Sequence, residues 1–437
     1  MNASQANLRY ELYKKTDEDW LDEIPEHWEF RRVKTFLRLV AEPAHKNNDF
    51  ELLSVYTDIG VKPRKELEEK GNKASTTDGY WLVQKGDFIV NKLLAWMGAV
   101  GISNYSGVTS PAYDILRPCE DIAGNFYHFM FRMKTFSAVM KKSSRGIMDM
   151  RLRLYFDKFG DIRVPFPPYL EQLEIAKFLD QKTKQIDEAI AIKEQQIVLL
   201  KERKQIIIQK AVTQGLKPDV PMKDSGVDWI GKIPQHWKVE KLFGLCRFVR
   251  GNSAFAKDEL LSNGKYVALQ YGKTYKVDEV DDSYEFYVNE EFYKESQVVN
   301  FGDVIFISTS ETIEDLGHSA IYNREEIGLI GGEQLLIKPN SDLLDHYYIY
   351  YSTKVFSKEL RKYATGIKVF RFNINDLKTI YTVVPPKDEQ RKIVRHIATQ
   401  SKKIDQAIAL QESQIEKLKE YKSTLINSAV TGKIKVA

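Results

Sequence analysis

Basic and aromatic residues mingle in two short stretches, Lys273-Thr274-Tyr275-Lys276 and Lys368-Val369-Phe370-Arg371-Phe372. Cations neutralise phosphates while neighbouring rings stack on bases or meet base edges, so such mixtures suit nucleic acid. For any single cluster, solvated surface is the commoner origin. Recurrence gives these loops weight: Arg145-Gly146 and Arg151 match Thr365-Gly366 and Arg371 at an offset of 220. The candidate nucleic-acid contacts are Lys92, Tyr113, Arg145, Arg151, Lys273, Tyr275, Lys276, Lys368 and Arg371.

Residues fit for covalent or metal chemistry are sparse. The sequence holds no Walker A loop, no G-x-G-x-x-G and no H-E-x-x-H. Phe166-Pro167-Pro168-Tyr169 approaches the N-P-P-Y of amino-group DNA methyltransferases, but Phe replaces the Asn that holds the target amine, and the twin segment reads Val384-Pro385-Pro386-Lys387. Entry into a helix explains both. Glu311, Glu314, Asp315 and His318 are close in sequence but have no counterpart in the first half, and a polar loop accounts for them. His27 and His236 each sit in a repeated I-P-x-H-W run, where packing and hydrogen bonding are the expected roles. Cys119 and Cys246 lack metal-ligand spacing. No catalytic residue and no metal ligand is assigned.

The elements that must carry these loops are written twice. Residues 167–213 match 385–431 at a constant offset of 218, with 22 of 47 positions identical. Ile24-Pro25-Glu26-His27-Trp28 and Ile233-Pro234-Gln235-His236-Trp237 repeat at an offset of 209. Between these anchors the two copies have diverged. The repeated segments follow double prolines, carry acids in their first turn and keep a heptad, which predicts two long helices. Over about 44 residues each would be roughly 65 Å long. The seam runs through Ile186, Ile190, Ile197 and Leu200 in the first copy, and Ile404, Ile408, Ile415 and Leu418 in the second. Lys193 and Lys204, with Gln411 and Lys422 at matching places, interrupt it and would fix register. An antiparallel pairing of the two helices about a pseudo-twofold axis is expected, with Lys204 and Lys422 in the seam.

The divergent middles read as mixed α/β domains. Short β-rich runs such as Asp87-Phe88-Ile89-Val90 and Asp303-Val304-Ile305-Phe306-Ile307 follow the turns Lys85-Gly86-Asp87 and Phe301-Gly302-Asp303. Helices are expected near 125–142 and 343–363. The fold class is α+β, with domains at 1–165 and 216–384 and spacer helices at 166–215 and 385–437. The chain of 437 residues carries a net charge of +4, which mildly favours an anionic partner. No apolar run approaches the roughly 20 residues that span a bilayer. With no secretory signal and two distant cysteines, a cytoplasmic protein without membrane contact is expected.

This arrangement, with I-P-x-H-W opening each half and P-P-x-x-E-Q opening each helix, resembles the specificity subunit of type I restriction-modification enzymes. Asp224-Ser225-Gly226-Val227-Asp228-Trp229-Ile230-Gly231 and Val108-Thr109-Ser110-Pro111-Ala112-Tyr113 add to the likeness, which covers nearly the whole chain. The resemblance implies two target recognition domains, each reading one half of a split, asymmetric double-stranded DNA sequence. It implies that the helices set the spacing and dock two modification subunits, with restriction subunits completing the complex. It places adenine-N6 methyl transfer from S-adenosylmethionine, and ATP- and Mg-dependent translocation and cleavage, in those partners, leaving this chain without a cofactor. The second domain has Gly331-Gly332-Glu333-Gln334 where the first has Ser110-Pro111-Ala112-Tyr113, so contacts do not transfer between the domains. The competing reading is a non-catalytic coiled-coil scaffold that binds protein partners.

Overall fold

The computed structural model describes residues 9–66, 77–146, 152–253 and 255–436. They form two compact units, one of Met1–Lys193 with Glu412–Ala437 and the other of Glu194–Gln411. Two long helices, Tyr169–Gln214 and Lys387–Val430, contribute to both.

The first unit is built on an antiparallel sheet ordered Leu37–Val40, Tyr113–Pro118, Phe88–Asn91 and Val100–Ile102. The second repeats that order with Cys246–Arg250, Gln334–Pro339, Val304–Ile307 and Ser319–Tyr322, and adds Glu279–Val280 in parallel. Central strands Phe88–Asn91 and Val304–Ile307 are buried at every position, because helices cover the face that a two-faced sheet would otherwise leave wet. Those helices are Gly124–Arg132 and Lys134–Ser143 in the first unit and His346–Leu360 in the second. Each central strand follows a glycine turn at positive φ, 99° at Gly86 and 83° at Gly302. The next residue, Asp87 or Asp303, caps that turn and binds Arg117 at 2.9 Å or Lys338 at 2.7 Å. A second sheet in the second unit, from Tyr287–Val288 to Val298–Val299, has no four-stranded counterpart among the described residues of the first.

The repeated motifs are clamps on the long helices. In P-P-x-x-E-Q, Gln172 donates to Pro167 O at 2.8 Å and accepts from Ala123 N, tying helix entry to the start of Gly124–Arg132. Gln390 does the same with Pro385 O and Asp345 N. The neighbouring glutamate meets the histidine of I-P-x-H-W, His27 with Glu171 at 2.9 Å and His236 with Glu389 at 2.8 Å. The buried tryptophan beside each histidine packs on the glycine that ends the other helix. A Cβ on Gly432 would lie 3.1 Å from Trp28 and 2.3 Å from Pro25, and one on Gly215 would lie 3.0 Å from Trp237. Both glycines have φ near +75°, so each helix stops where only glycine fits.

The helices pair antiparallel within each unit. In the first, Asp187 accepts from Lys422 Nζ at 2.7 Å and Lys193 bonds Gln414, so partners descend as the first helix ascends. In the second, Lys204 Nζ meets Asp405 at 2.8 Å. Lys204 and Lys422 therefore do not face each other. Each reaches the aspartate of the twin helix, and the two links are images of one another at the 218 offset. Ile186, Ile404 and Ile415 are buried, while Ile190, Ile197, Leu200, Ile408 and Leu418 are half-buried along the seam.

Candidate nucleic-acid interface

One edge of each sheet gathers most of the candidate contacts. In the first domain the strand Phe88–Asn91 delivers Lys92, and the paired strand begins at Tyr113 opposite Asn91. Lys92 Nζ lies 3.2 Å from Asp114 Oδ1 and donates to Pro111 O at 3.2 Å. Burial raises the Asp114 carboxyl above its usual range despite the ammonium beside it. Leu154 N donates to Lys92 O at 2.8 Å, and Arg145 and Arg153 exchange backbone hydrogen bonds at 2.9 Å, so Arg153 and Leu154 link Arg145 to the strand end. Lys92, Tyr113 and Arg145 are thus neighbours. Arg145 is exposed and pairs with Asp157 at 3.0 Å. Arg151 lies outside the described residues.

The second domain builds the same corner with other side chains. Phe372 N donates to Ser308 O at 3.2 Å, and Thr365 and Arg371 exchange backbone bonds at 2.9 Å. Ser308 thus stands where the first domain has Lys92, and Arg371 where it has Arg153. The equivalence of Arg371 is with Arg153, at the offset of the helices, rather than with Arg151; the two loops differ in length between their pinned ends. A cleft of about 270 Å³ opens here, lined by Arg250, Ser308, Thr309, Glu333, Thr365 and Arg371. Tyr275 stacks on Tyr271, with ring centroids 6.2 Å apart and planes 11° from parallel. Tyr271 Oη donates to Thr309 O at 3.0 Å, which ties this pair of rings to the cleft rim. Lys368 is exposed on the hairpin closed by Thr365 and Arg371, next to Ile367, which is 97% exposed. Lys273 turns away, its ammonium 4.3 Å from the Phe286 ring, and Lys276 is exposed one turn further on.

Sequence reasoning missed Arg153, Arg250, Tyr271 and Glu333. Arg153 was accessible by applying the helix offset of 218 to the loop. Glu333 was not, because its setting depends on backbone conformation and on a cleft assembled from distant strands. The acidic stretch near 311–318 is local structure: Thr312 Oγ1 donates to Asp315 at 2.6 Å, and His318 Nε2 lies 2.8 Å from Val277 O. Burial lowers the His318 pKa. Among the described residues no group of three His, Cys, Asp or Glu could hold a metal ion, and no helix is long and apolar enough to cross a membrane.

Residues 234–420 match the family model of the type I restriction modification DNA specificity domain. The type I restriction enzyme MjaVIII specificity subunit of Methanocaldococcus jannaschii is 23% identical, over 94% of this chain and 94% of its own. The MjaIX specificity subunit of the same organism is 22% identical, over 99% and 98%. Among solved structures, a chain from work on complex assembly and conformational transition of the type I R-M system aligns with a TM-score of 0.72. It is 14% identical, and the match covers 94% of this chain and 99% of that one. The crystal structure of the HsdS subunit from Thermoanaerobacter tengcongensis gives 0.53 at 14% identity, covering 94% and 98%. At such identity these two likenesses bear on fold.

Proposed function

We propose that the chain, similar over nearly its whole length to specificity subunits of type I restriction enzymes, is itself such a subunit, reading a bipartite, asymmetric duplex DNA target and docking two modification subunits. The observation that carries this reading is one frame furnished in two ways. Both domains present the same sheet corner and the same pinned loop, yet one offers Lys92, Tyr113, Arg145 and Arg153, and the other Ser308, Glu333 and Arg371 with a stacked tyrosine pair. Base edges are distinguished by donor and acceptor pattern, so different furniture at equivalent corners selects different half-sites. The paired helices, whose polar links each admit one register, would hold the spacing between the half-sites. Methyl transfer from S-adenosylmethionine, and ATP- and Mg-dependent cleavage by restriction subunits, fall to partners on this reading, which also places the chain in the cytoplasm.

Mapping methylated adenines in cells that carry this chain with its modification subunit tests the proposal. A split motif with two unlike halves is expected, and exchanging residues 30–165 for another recognition domain should alter one half only. A continuous motif, or none, refutes it. Binding to duplex DNA should also weaken steeply with salt, since phosphate contacts release counterions. Salt-independent binding would favour the protein scaffold.

A further inference from the structure

Glu333 is unusual in two respects. It is one of two non-glycine residues among those described with left-handed backbone, at φ 62°; the other is Asn47, a residue type that tolerates this region. It also brings a carboxylate into a cleft furnished with Arg250 and Arg371. The surrounding backbone imposes the conformation. Gly331 N donates to Leu269 O at 2.9 Å, Gly332 N to Ser253 O at 2.8 Å, and Ser308 Oγ to Glu333 O at 3.3 Å. Gln334, buried, spans Leu269 O at 2.7 Å and Thr274 Oγ1 at 2.6 Å. Strain over-determined by its surroundings in this way gathers at sites of recognition.

The result is an aimed carboxylate with unused capacity. Glu333 Oε2 accepts from Thr309 Oγ1 at 2.8 Å and lies 3.9 Å from Arg371 Nη2. The two side chains remain 53% and 62% exposed, so neither is consumed by the other. A carboxylate repels phosphate and adds nothing to backbone binding. What it can take from duplex DNA is an exocyclic amine, and acidic side chains in the major groove accept from N4 of cytosine while arginine spans O6 and N7 of guanine. The first domain has Ala112 at this position, as the pairing of Tyr113 with Asn91 and of Gln334 with Ile307 establishes.

We propose that Glu333 is a specificity-determining residue of the second half-site, accepting the N4 amine of cytosine in a G·C pair, with Arg371 beside it poised for guanine. This rests on the DNA-reading function proposed above. The test uses the full chain assembled with its modification subunits, incubated with random-sequence duplexes whose bound fraction is sequenced. In the wild type a split motif with an invariant G·C column in its second half is expected. E333A should relax that column by roughly tenfold or more, and E333Q should shift it towards A·T, because an amide reads adenine. The first half-site, unchanged in both variants, reports that the protein is folded. If both halves vanish in E333A, E333G relieves the backbone strain and is read by the same criterion. An unchanged motif, or relaxation at an A·T column, overturns the assignment of Glu333. A wild-type pool without a split motif overturns the underlying function instead.

Discussion

Deleting Glu194–Leu200 from the first long helix removes about 10.5 Å of rise. Seven residues are two turns of a coiled coil, so the seam keeps its face. What changes is the interval between the two polar links. Asp187 and Lys204, now 17 positions apart, would stand ten apart, about 15 Å instead of about 25 Å. Their partners Lys422 and Asp405 would keep the longer interval. The two pairs then cannot both form. One side of the seam must yield a charge pair together with packing such as that of Ile186 and Ile190 in the first unit's core. Burying an isoleucine is worth roughly 1.5–3 kcal/mol, and a half-exposed ion pair about 0.5 kcal/mol, so the single deletion should cost on the order of 4 kcal/mol. Removing the facing Ala409–Ile415 as well equalises the intervals, and chemical denaturation should show at least half of that loss recovered. In the compensated variant the preferred gap between half-sites should shorten by about three base pairs, at 3.4 Å each, with both base preferences kept. Those three pairs are also about 100° of duplex twist, so affinity should fall. A compensated variant no more stable than the single deletion would refute the register argument. Altered bases with an unaltered gap would refute the helices as a spacer.

Two further expectations concern charge. Asp187→Lys should destabilise the chain by about 1 kcal/mol by setting two ammonium groups face to face. Combining it with Lys422→Asp should restore most of the loss, with a coupling of roughly 0.3–1 kcal/mol because these side chains are 56% and 30% exposed; a double-mutant cycle in denaturant reads this directly, and additive effects would show that the pair contributes nothing. His128 is half-buried with its Nδ1 enclosed and unpartnered, and burial, aided by the Arg132 guanidinium, pushes its pKa down to about 4. A depressed folded pKa means the contribution is fully present above the unfolded value of about 6.5 and is lost as pH falls towards 4, about 3 kcal/mol in all. Thermal unfolding between pH 7 and 4 should show this acid lability, and His128→Gln should flatten it; an equally steep profile in the variant would assign the lability elsewhere.

The duplicated helices were legible because heptad periodicity, flanking prolines and first-turn acids are local signals that agree with one another. The strands after Gly86 and Gly302 were legible for the same reason. The partners of Lys204 and Lys422 were not. A polar residue in a seam reveals that something must satisfy it, but the acceptors Asp187 and Asp405 sit beside the seam, half-exposed, and resemble any solvated acid in sequence. The loop correspondence went astray for a different reason. Arg151 and Arg371 share a residue type and a convenient offset, whereas backbone pairing, which sets side-chain position, joins Arg145 to Arg153 and Thr365 to Arg371.

The offsets explain why the copied and uncopied parts of the chain behave so differently. The I-P-x-H-W runs repeat at 209, the central strands at 216, and the pinned arginines and helices at 218. The difference between neighbouring offsets counts residues gained or lost between anchors that kept their places. Each anchor is held by a contact that tolerates little change: a glycine under a tryptophan, a glutamine spanning a proline carbonyl and a helix start, a lysine on its aspartate. Between the anchors the requirement is weaker, since a sheet corner positions Lys92 as well as Ser308 and Ala112 as well as Glu333. Rigid ends make the variable corners useful. A base-reading side chain discriminates only if its backbone is held in place, and the hydrogen bonds that pin Gly331, Gly332 and Glu333 are the kind of support such a role would need.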